Sequence, residues 1–341
     1  MDLTDTERNA LTTALAARRA EQDLSRRLRQ EARAERQRLA EADQAEQERF
    51  ARALLTFAGI EAADVDRRRE GTTASARAFL EQQRRVAVGR AGAVAERNRT
   101  LARVRGEALV AEQQSGAAGP STLTTLDTAV AIWTVHSGPD ANNHVTVQLD
   151  PPAAMRNVAN VYQSKQASPD IRFHIPGFWI VDVHWAFRIP IAGNVLLNAI
   201  TFVQALGVDS LFASGWFLGD SFAEIEFFTR LDLFAVDPPP LQQIHAIGTG
   251  DQDQGPVRYL HSDWWDLLGQ FDSTVYDFQS TLIDRSFSRV GAGSTVFAVV
   301  TASIVLSADG NAFCVADSDS GDLEINVPAV YVSTFSDNPI P

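Results

Sequence analysis

The densest group of chemistry-bearing residues in this chain is His261-Ser262-Asp263-Trp264-Trp265-Asp266. Paired indoles beside carboxylates are what a sugar ring needs: apolar faces to stack on and oxygens to accept its hydroxyl hydrogens. His261, Asp263, Trp264, Trp265 and Asp266 are therefore the candidate binding residues. The same composition also suits a loop that plugs the end of a β-sandwich.

Two further groups depend on strand alternation. Asp182, His184 and Arg188 are interleaved with Val183, Trp185 and Phe187, so a period of two puts the polar three on one face. Glu224, Glu226, Arg230 and Asp232 form a second such row. On neighbouring strands the rows would present His and carboxylates to a metal or a sugar; apart, they are ladders of paired charges. Residues 250–255 and 317–324 are Asp-rich loops with the oxygen ligands Ca²⁺ takes, and Asp317, Asp319 and Asp322 are the candidate ligands. Neither loop has the Gly and Glu placement of an EF-hand, and Asp-Ser-Gly runs are ordinary turn material. The phosphate-loop, Gly-x-Ser-x-Gly, His-Glu-x-x-His and Cys-x-x-Cys motifs are absent. The lone Cys314 stands between Phe313 and Val315 and reads as a small core residue. The expectation is a protein without enzymatic activity, resident cofactor or metal.

The elements that must position these groups divide the chain in two. Residues 1–115 contain 22 Arg, no Lys and 19 acidic residues, a net of +3, and no His, Trp, Tyr or Pro. The remainder carries a net of −16, within a total of −13. Such an acidic second part excludes a nucleic-acid partner, since phosphates need a basic surface. The composition changes at Gln114–Pro120, which gives a helical domain over 1–115, a linker over 116–122 and an acidic all-β domain over 123–341. The acidic, polar start MDLTDTERN excludes a Sec-type signal. That leaves the cytoplasm, or export by a route that reads no such signal.

Met1 to Ala58 contains no Gly or Pro and reads as one helix about 80 Å long. Thr4 or Asp5 can cap it, with Glu7 near the position a capping box uses, and Gly59 ends the run. Blocks of eleven start at Ala17, Leu28, Leu39 and Phe50. Eleven residues make three turns, so the apolar stripe stays nearly straight, and Leu24, Leu54 and Phe57 widen it. Leu28, Leu39, Phe50 and Leu54 are the candidate oligomerisation residues, because an exposed stripe must lie against something. A second helix over 73–113, starting after Gly71, would complete an antiparallel hairpin; a parallel coiled coil of several chains is the alternative.

From Leu123 the period becomes two, and about ten strands follow, among them Leu126–His136, Trp179–Ile189, Phe222–Val236, Thr281–Val290, Thr295–Ser307 and Leu323–Thr334. Turn signals separate them, which predicts an antiparallel sandwich, jelly-roll-like. Asp309-Gly310 is the strongest hairpin signal. Ile189–Val208 has no charge across twenty residues, the length of a membrane span, but Asn194, Asn198, Thr201 and Gln204 favour a buried helix or strand pair in the core.

The sequence thus predicts an α+β fold with segregated domains, a long-helix hairpin or coiled coil followed by a β-sandwich. The function read from it is structural: a stalk that assembles the chain into homo-oligomers and a head that meets a protein or glycan partner. One alternative is a membrane-active, pore-forming toxin-like protein. Another is a carbohydrate-binding or glycan-hydrolysing head, with Glu224, Glu226, Asp263 and Asp266 as its carboxylates.

Overall fold

Long strands must bury one face or both, and which faces are apolar decides the layers. The computed structural model describes residues 3–19, 24, 28, 49–50, 53–116, 121–136, 143–151, 156–166, 179–191, 193–215, 221–238, 243–262, 269–286, 288–291, 293–320 and 323–336. The described strands form two antiparallel sheets. The first contains β1 (Ser121–Leu126), β3 (Asn143–Leu149), β4 (Val158–Gln166), β6 (Val195–Ser214), β10 (Gln270–Arg285), β12 (Asn311–Asp317), β13 (Glu324–Asn326) and β14 (Val330–Ser336). Its axis is β6. One edge of β6 pairs with β10, and the other is shared in turn by β14, β13 and β12. The second sheet runs β2 (Ala131–His136), β5 (Trp179–Ile189), β11 (Thr295–Asp309), β7 (Ser221–Val236), with β8 (Ile244–Ala246) and β9 (Asp251–Ser262) dividing the far edge of β7.

The sheets pack face to face. Val183, Trp185 and Phe187 of β5 and Ile225, Leu231 and Leu233 of β7 join Val203, Ala205 and Leu211 of β6 and Cys314 of β12 in one core. The β-sandwich is therefore present, built from the aromatic and branched residues concentrated in the second part of the chain.

The helices are not arranged as expected. They form neither a hairpin nor a coiled coil among the described residues, and they are not segregated from the sheets. Helix α1, residues 5–19, starts at a reciprocal cap: the Thr4 N–H donates to Glu7 Oε2 at 2.9 Å and the Glu7 N–H to Thr4 Oγ1 at 3.2 Å. It buries Leu3, Leu11 and Leu15 with Trp133, Ala186, Phe234 and Phe297, on the outer face of the second sheet. Helix α2 (Ala62–Gly116) places Ala76 and Leu80 on Phe212 and Phe313, and Ala87, Val88 and Val94 on Leu206 and Val208, on the outer face of the first. Farther along, Arg97 pairs with Asp277 and Arg105 donates to Gln279. Residues 80 to 106 of a helix rise about 39 Å and residues 212 to 200 of a strand about 40 Å, so α2 runs the length of β6. The physical reason is that both sheets carry large apolar side chains on their outer faces. An apolar helical face gains more by covering those rows than by meeting another Ala-rich helix.

Other local expectations also change. Gly59, at φ 69°, ends a helical run as anticipated, with the Ile60 N–H donating to the Leu55 carbonyl at 2.9 Å. Gly71, by contrast, lies inside α2 and breaks nothing. Asp309-Gly310 is a corner between sheets, since β11 belongs to the second sheet and β12 to the first. Gly310 takes φ 68°, and its N–H donates to Asp309 Oδ1 at 2.8 Å. Of the uncharged stretch Ile189–Val208, Ile189 ends β5 and residues 195–208 are most of β6, the central strand of the first sheet. No described helix is long and apolar enough to cross a membrane.

Candidate functional site

The polar rows lie on one face, but not on neighbouring strands. β11 separates β5 from β7, and the register sets Asp182 across from Ser303 and Phe228, and His184 across from Thr301 and Arg230. Ser303 Oγ donates to Asp182 Oδ1 at 2.7 Å, and Thr301 Oγ1 lies 2.9 Å from His184 Nδ1. Above them sits α1. Arg19 forms an ion pair with Asp182, Arg18 donates to the carbonyls of Thr249 and Gly248 at 2.8 and 2.9 Å, and Arg188 lies 3.6 Å from Glu7. Arg230 Nε donates to Asp232 Oδ2 at 2.7 Å. The remaining space is about 50 Å³, room for water but not for a substrate. Burial, with the Arg19 charge adding to it, takes the His184 pKa down to about 3. His184 is thus a neutral ring enclosed under a helix, and this patch works as the fastening for α1.

The remaining expected site residues are spread apart. His261 closes β9, with its ring parallel to Tyr259 at 6.4 Å and across from Phe222. Asp263, Trp264, Trp265 and Asp266 lie outside the described residues. Glu224 and Glu226 are buried on β7, and Glu226 accepts from Gln254 Nε2 at 3.1 Å. Asp317 is buried; it pairs with Arg84 and accepts from the Asp319 N–H and from Ser320 Oγ, each at 2.9 Å. Asp322 lies outside the described residues, so the candidate calcium loop is seen only in part. Of the stripe residues, Leu39 is also outside them. Leu28 is 57 % exposed, Phe50 58 % and Leu54 43 %, and beside them Leu24 is 59 % and Phe57 91 % exposed.

A larger cavity, about 380 Å³, lies between α2 and the first sheet. Its floor is Tyr162, Ser164 and Gln166 of β4, Phe313 and Val315 of β12 and Ser210 of β6, part of a grid of outward residues with rows Gln166–Phe313–Phe212, Ser164–Val315–Ser210 and Tyr162–Asp317–Val208. Leu80, Glu81 and Arg84 of α2 complete it. The Arg84 guanidinium stands 5.7 Å over the Tyr162 ring and pairs with Asp317 and Glu81. Lys165, the chain's only lysine, and Cys314 border the cavity from the inward-pointing rows. Sequence reasoning missed this place because Val158–Gln166 was assigned to no strand. The inward set Val161, Gln163 and Lys165 and the outward set Tyr162, Ser164 and Gln166 are each mostly polar, so no period-two apolar pattern marks the strand.

Polar groups also lie inside the sandwich. Burial pushes the Asp209 carboxyl up to about 8, against a lowering by Arg258 and with a further raise from Asp272. Asp284 accepts from the N–H groups of Leu233 and Gly250 at 3.0 and 3.1 Å, tying β10 to the second sheet.

No family model and no curated protein matches the chain. Among solved structures, similarity is found to the enzymatically active domain of tailspike protein 4 of Bacteriophage CBA120, with 13 % identity and a TM-score of 0.18, over 59 % of this chain and 19 % of that one. TmCBM61 in complex with beta-1,4-galactotriose aligns at 10 % identity and a TM-score of 0.13, over 66 % of this chain and 93 % of that one. The family 11 carbohydrate-binding module of cellulosomal cellulase Lic26A-Cel5E of Clostridium thermocellum aligns at 8 % identity and a TM-score of 0.14, over 61 % and 95 %. Likenesses this slight say nothing about ligand or activity.

Proposed function

We propose that this is a non-enzymatic assembly protein that binds copies of itself through its exposed helical residues, with the sandwich as the rigid mount. The observation that carries the reading is the exposure of Leu24, Leu28, Phe50, Leu54 and Phe57. Fully burying one such side chain stabilises by about 1.5–3 kcal/mol, so a contact that covers several of them is favourable. Charge favours a second copy as the occupant. The sandwich part, at −16, repels its own kind, whereas residues 1–115 balance 22 Arg against 19 acidic residues. Two copies therefore approach with least repulsion through their helical parts. The absence of enzymatic activity is supported by how the reactive rows are used: Asp182, His184, Arg230 and Asp232 are taken up by one another, by Ser303 and Thr301, and by Arg19.

Light scattering on the full chain tests this. The native chain should scatter as a multimer. Leu28→Asp with Leu54→Asp should scatter as a single chain while its sandwich melts unchanged. Arg67→Ala, at an exposed i,i+3 pair with Asp64, should leave the multimer intact. A native chain that is monomeric at every concentration, or a double variant that still assembles, would sink the proposal.

A further inference from the structure

The cavity under α2 follows from side-chain sizes. The middle row of the grid, Ser164–Val315–Ser210, holds only small residues, while the rows on either side hold Phe313 with Phe212, and Tyr162 with Asp317. Leu80 rests on the first of these and Arg84 on the second. One helical turn separates Leu80 from Arg84, so α2 is propped at two points and bridges the low row between them. Protein interiors otherwise fill about three-quarters of their volume, and sites for small molecules begin near 300 Å³. A space of 380 Å³ is of that kind.

Its walls select by exclusion. An anion would need Arg84 or Lys165. Lys165 is buried in an inward-pointing row and has partners of its own. The charge of Arg84 is already matched by the buried Asp317 and by Glu81 at 3.1 Å, so drawing Arg84 away leaves Asp317 buried and uncompensated. A cation would need Glu81, which Arg84 and Arg85 share. A wholly apolar ligand would strip water from the half-buried Ser164 hydroxyl without replacing its hydrogen bonds, whereas the Ser210 hydroxyl already pairs with Ser273 at 3.1 Å. What remains is a neutral ring with one apolar face and hydroxyls on its rim. Its C–H face would lie on Phe313, Val315 and Leu80, and its hydroxyls would meet Ser164 and the partly exposed Glu81 carboxylate. We infer that this cavity is a binding site for a neutral hydroxylated ring, a pyranose sugar. The inference does not depend on self-assembly.

The test is methyl NMR on the full chain with D-glucose, D-galactose, D-mannose and, separately, inorganic phosphate. At least one hexose should shift the Leu80 and Val315 methyl signals saturably, and phosphate should not. Ser164→Ala should weaken binding about threefold to tenfold, the range expected for one lost hydrogen bond. Ser164→Phe, which fills the middle row, should abolish it. Should Ser164→Phe fail to fold, Ser164→Ala and a Leu28→Asp/Leu54→Asp variant decide: the first should weaken binding and the second should leave it at the native value. Failure of all three hexoses, saturation by phosphate instead, or unaltered affinity in Ser164→Ala would overturn the assignment. The Leu28→Asp/Leu54→Asp variant also separates the two proposals, because it tests assembly without touching the cavity.

Discussion

Replacing Leu11 by Ala tests the docking of α1 directly. Leu11 is fully buried, in a cluster with Leu15, Trp133, Phe234 and Phe297. Leu-to-Ala changes at such positions cost about 2–5 kcal/mol, more where the surroundings cannot close the space. Here α1 is pinned near both ends, by Glu7 on Arg188 and by Arg19 on Asp182, so the helix cannot settle into the gap. The expected loss is about 3–4 kcal/mol. Leu28→Ala, at an exposed position, should change stability by no more than about 0.5 kcal/mol at a dilution where the chain is single. Urea denaturation followed by Trp fluorescence reads both, since Trp133 belongs to the affected cluster. The comparison is sharp because the eleven-residue stripe contains Leu28 and omits Leu11. Equal small effects, or a larger effect at Leu28, would mean that α1 does not cover the second sheet.

Three further outcomes follow from a buried carboxyl and two glycines. Asp209, protonated in the folded chain up to about pH 8, ionises when unfolded near its ordinary value, so stability falls as pH rises through that interval. His184, neutral when folded down to about pH 3, adds stability that is lost only below its unfolded value of about 6.5. Between pH 6.5 and 8, then, urea stability should decline by up to about 1.4 kcal/mol per pH unit, the slope easing as the folded value is approached, and Asp209→Asn should flatten it; a flat native profile would refute the assignment. A Cβ at Gly248 would run into the Asp284 carboxylate, which is held by two backbone N–H groups, so Gly248→Ala should destabilise by about 1–3 kcal/mol. A Cβ at Gly71 meets nothing, so Gly71→Ala should stabilise α2 by about 0.5–1 kcal/mol, whereas a Gly71 that breaks the helix would give no gain.

How much of this was legible depended on what covers each strand. Trp179–Ile189 is found with the bounds its alternation predicts, and Phe222–Val236 gains only Ser221. In both, charged residues on alternate positions mark one face. β6 offers no such mark. Phe202, Leu206, Val208 and Phe212 face α2, while Val203, Ala205 and Leu211 face the core. A strand buried on both faces looks like any apolar run, and period alone cannot separate it from a helix. The expected strand Leu126–His136 is really two, one in each sheet. The crossing between them is held by Asn157, at φ 49°, which accepts from the Ala129 N–H at 2.9 Å and donates to the Asp127 and Val327 carbonyls. Those contacts span up to 170 positions, and no local pattern encodes them. The helices showed a parallel gap: their apolar residues announced a partner, but amphipathicity does not distinguish a sheet from another helix.

The same device, a helix laid on an outer sheet face, closes one side of the molecule and opens the other. Under α1 the rows carry Phe228, Phe234 and Phe297 among the polar groups, and only about 50 Å³ remains. Under α2 the row between the two props carries Ser164, Val315 and Ser210, and about 380 Å³ remains. The reactive side chains sit on the closed side, where they neutralise one another and hold a roof. On the open side Glu81, Arg84 and Asp317 likewise neutralise one another, and the space comes from three small residues between larger ones. A search of the sequence for reactive clusters therefore leads to the fastening. The cavity becomes visible only once β4, β12 and β6 are known to be neighbours, because each contributes one residue to the row that forms it.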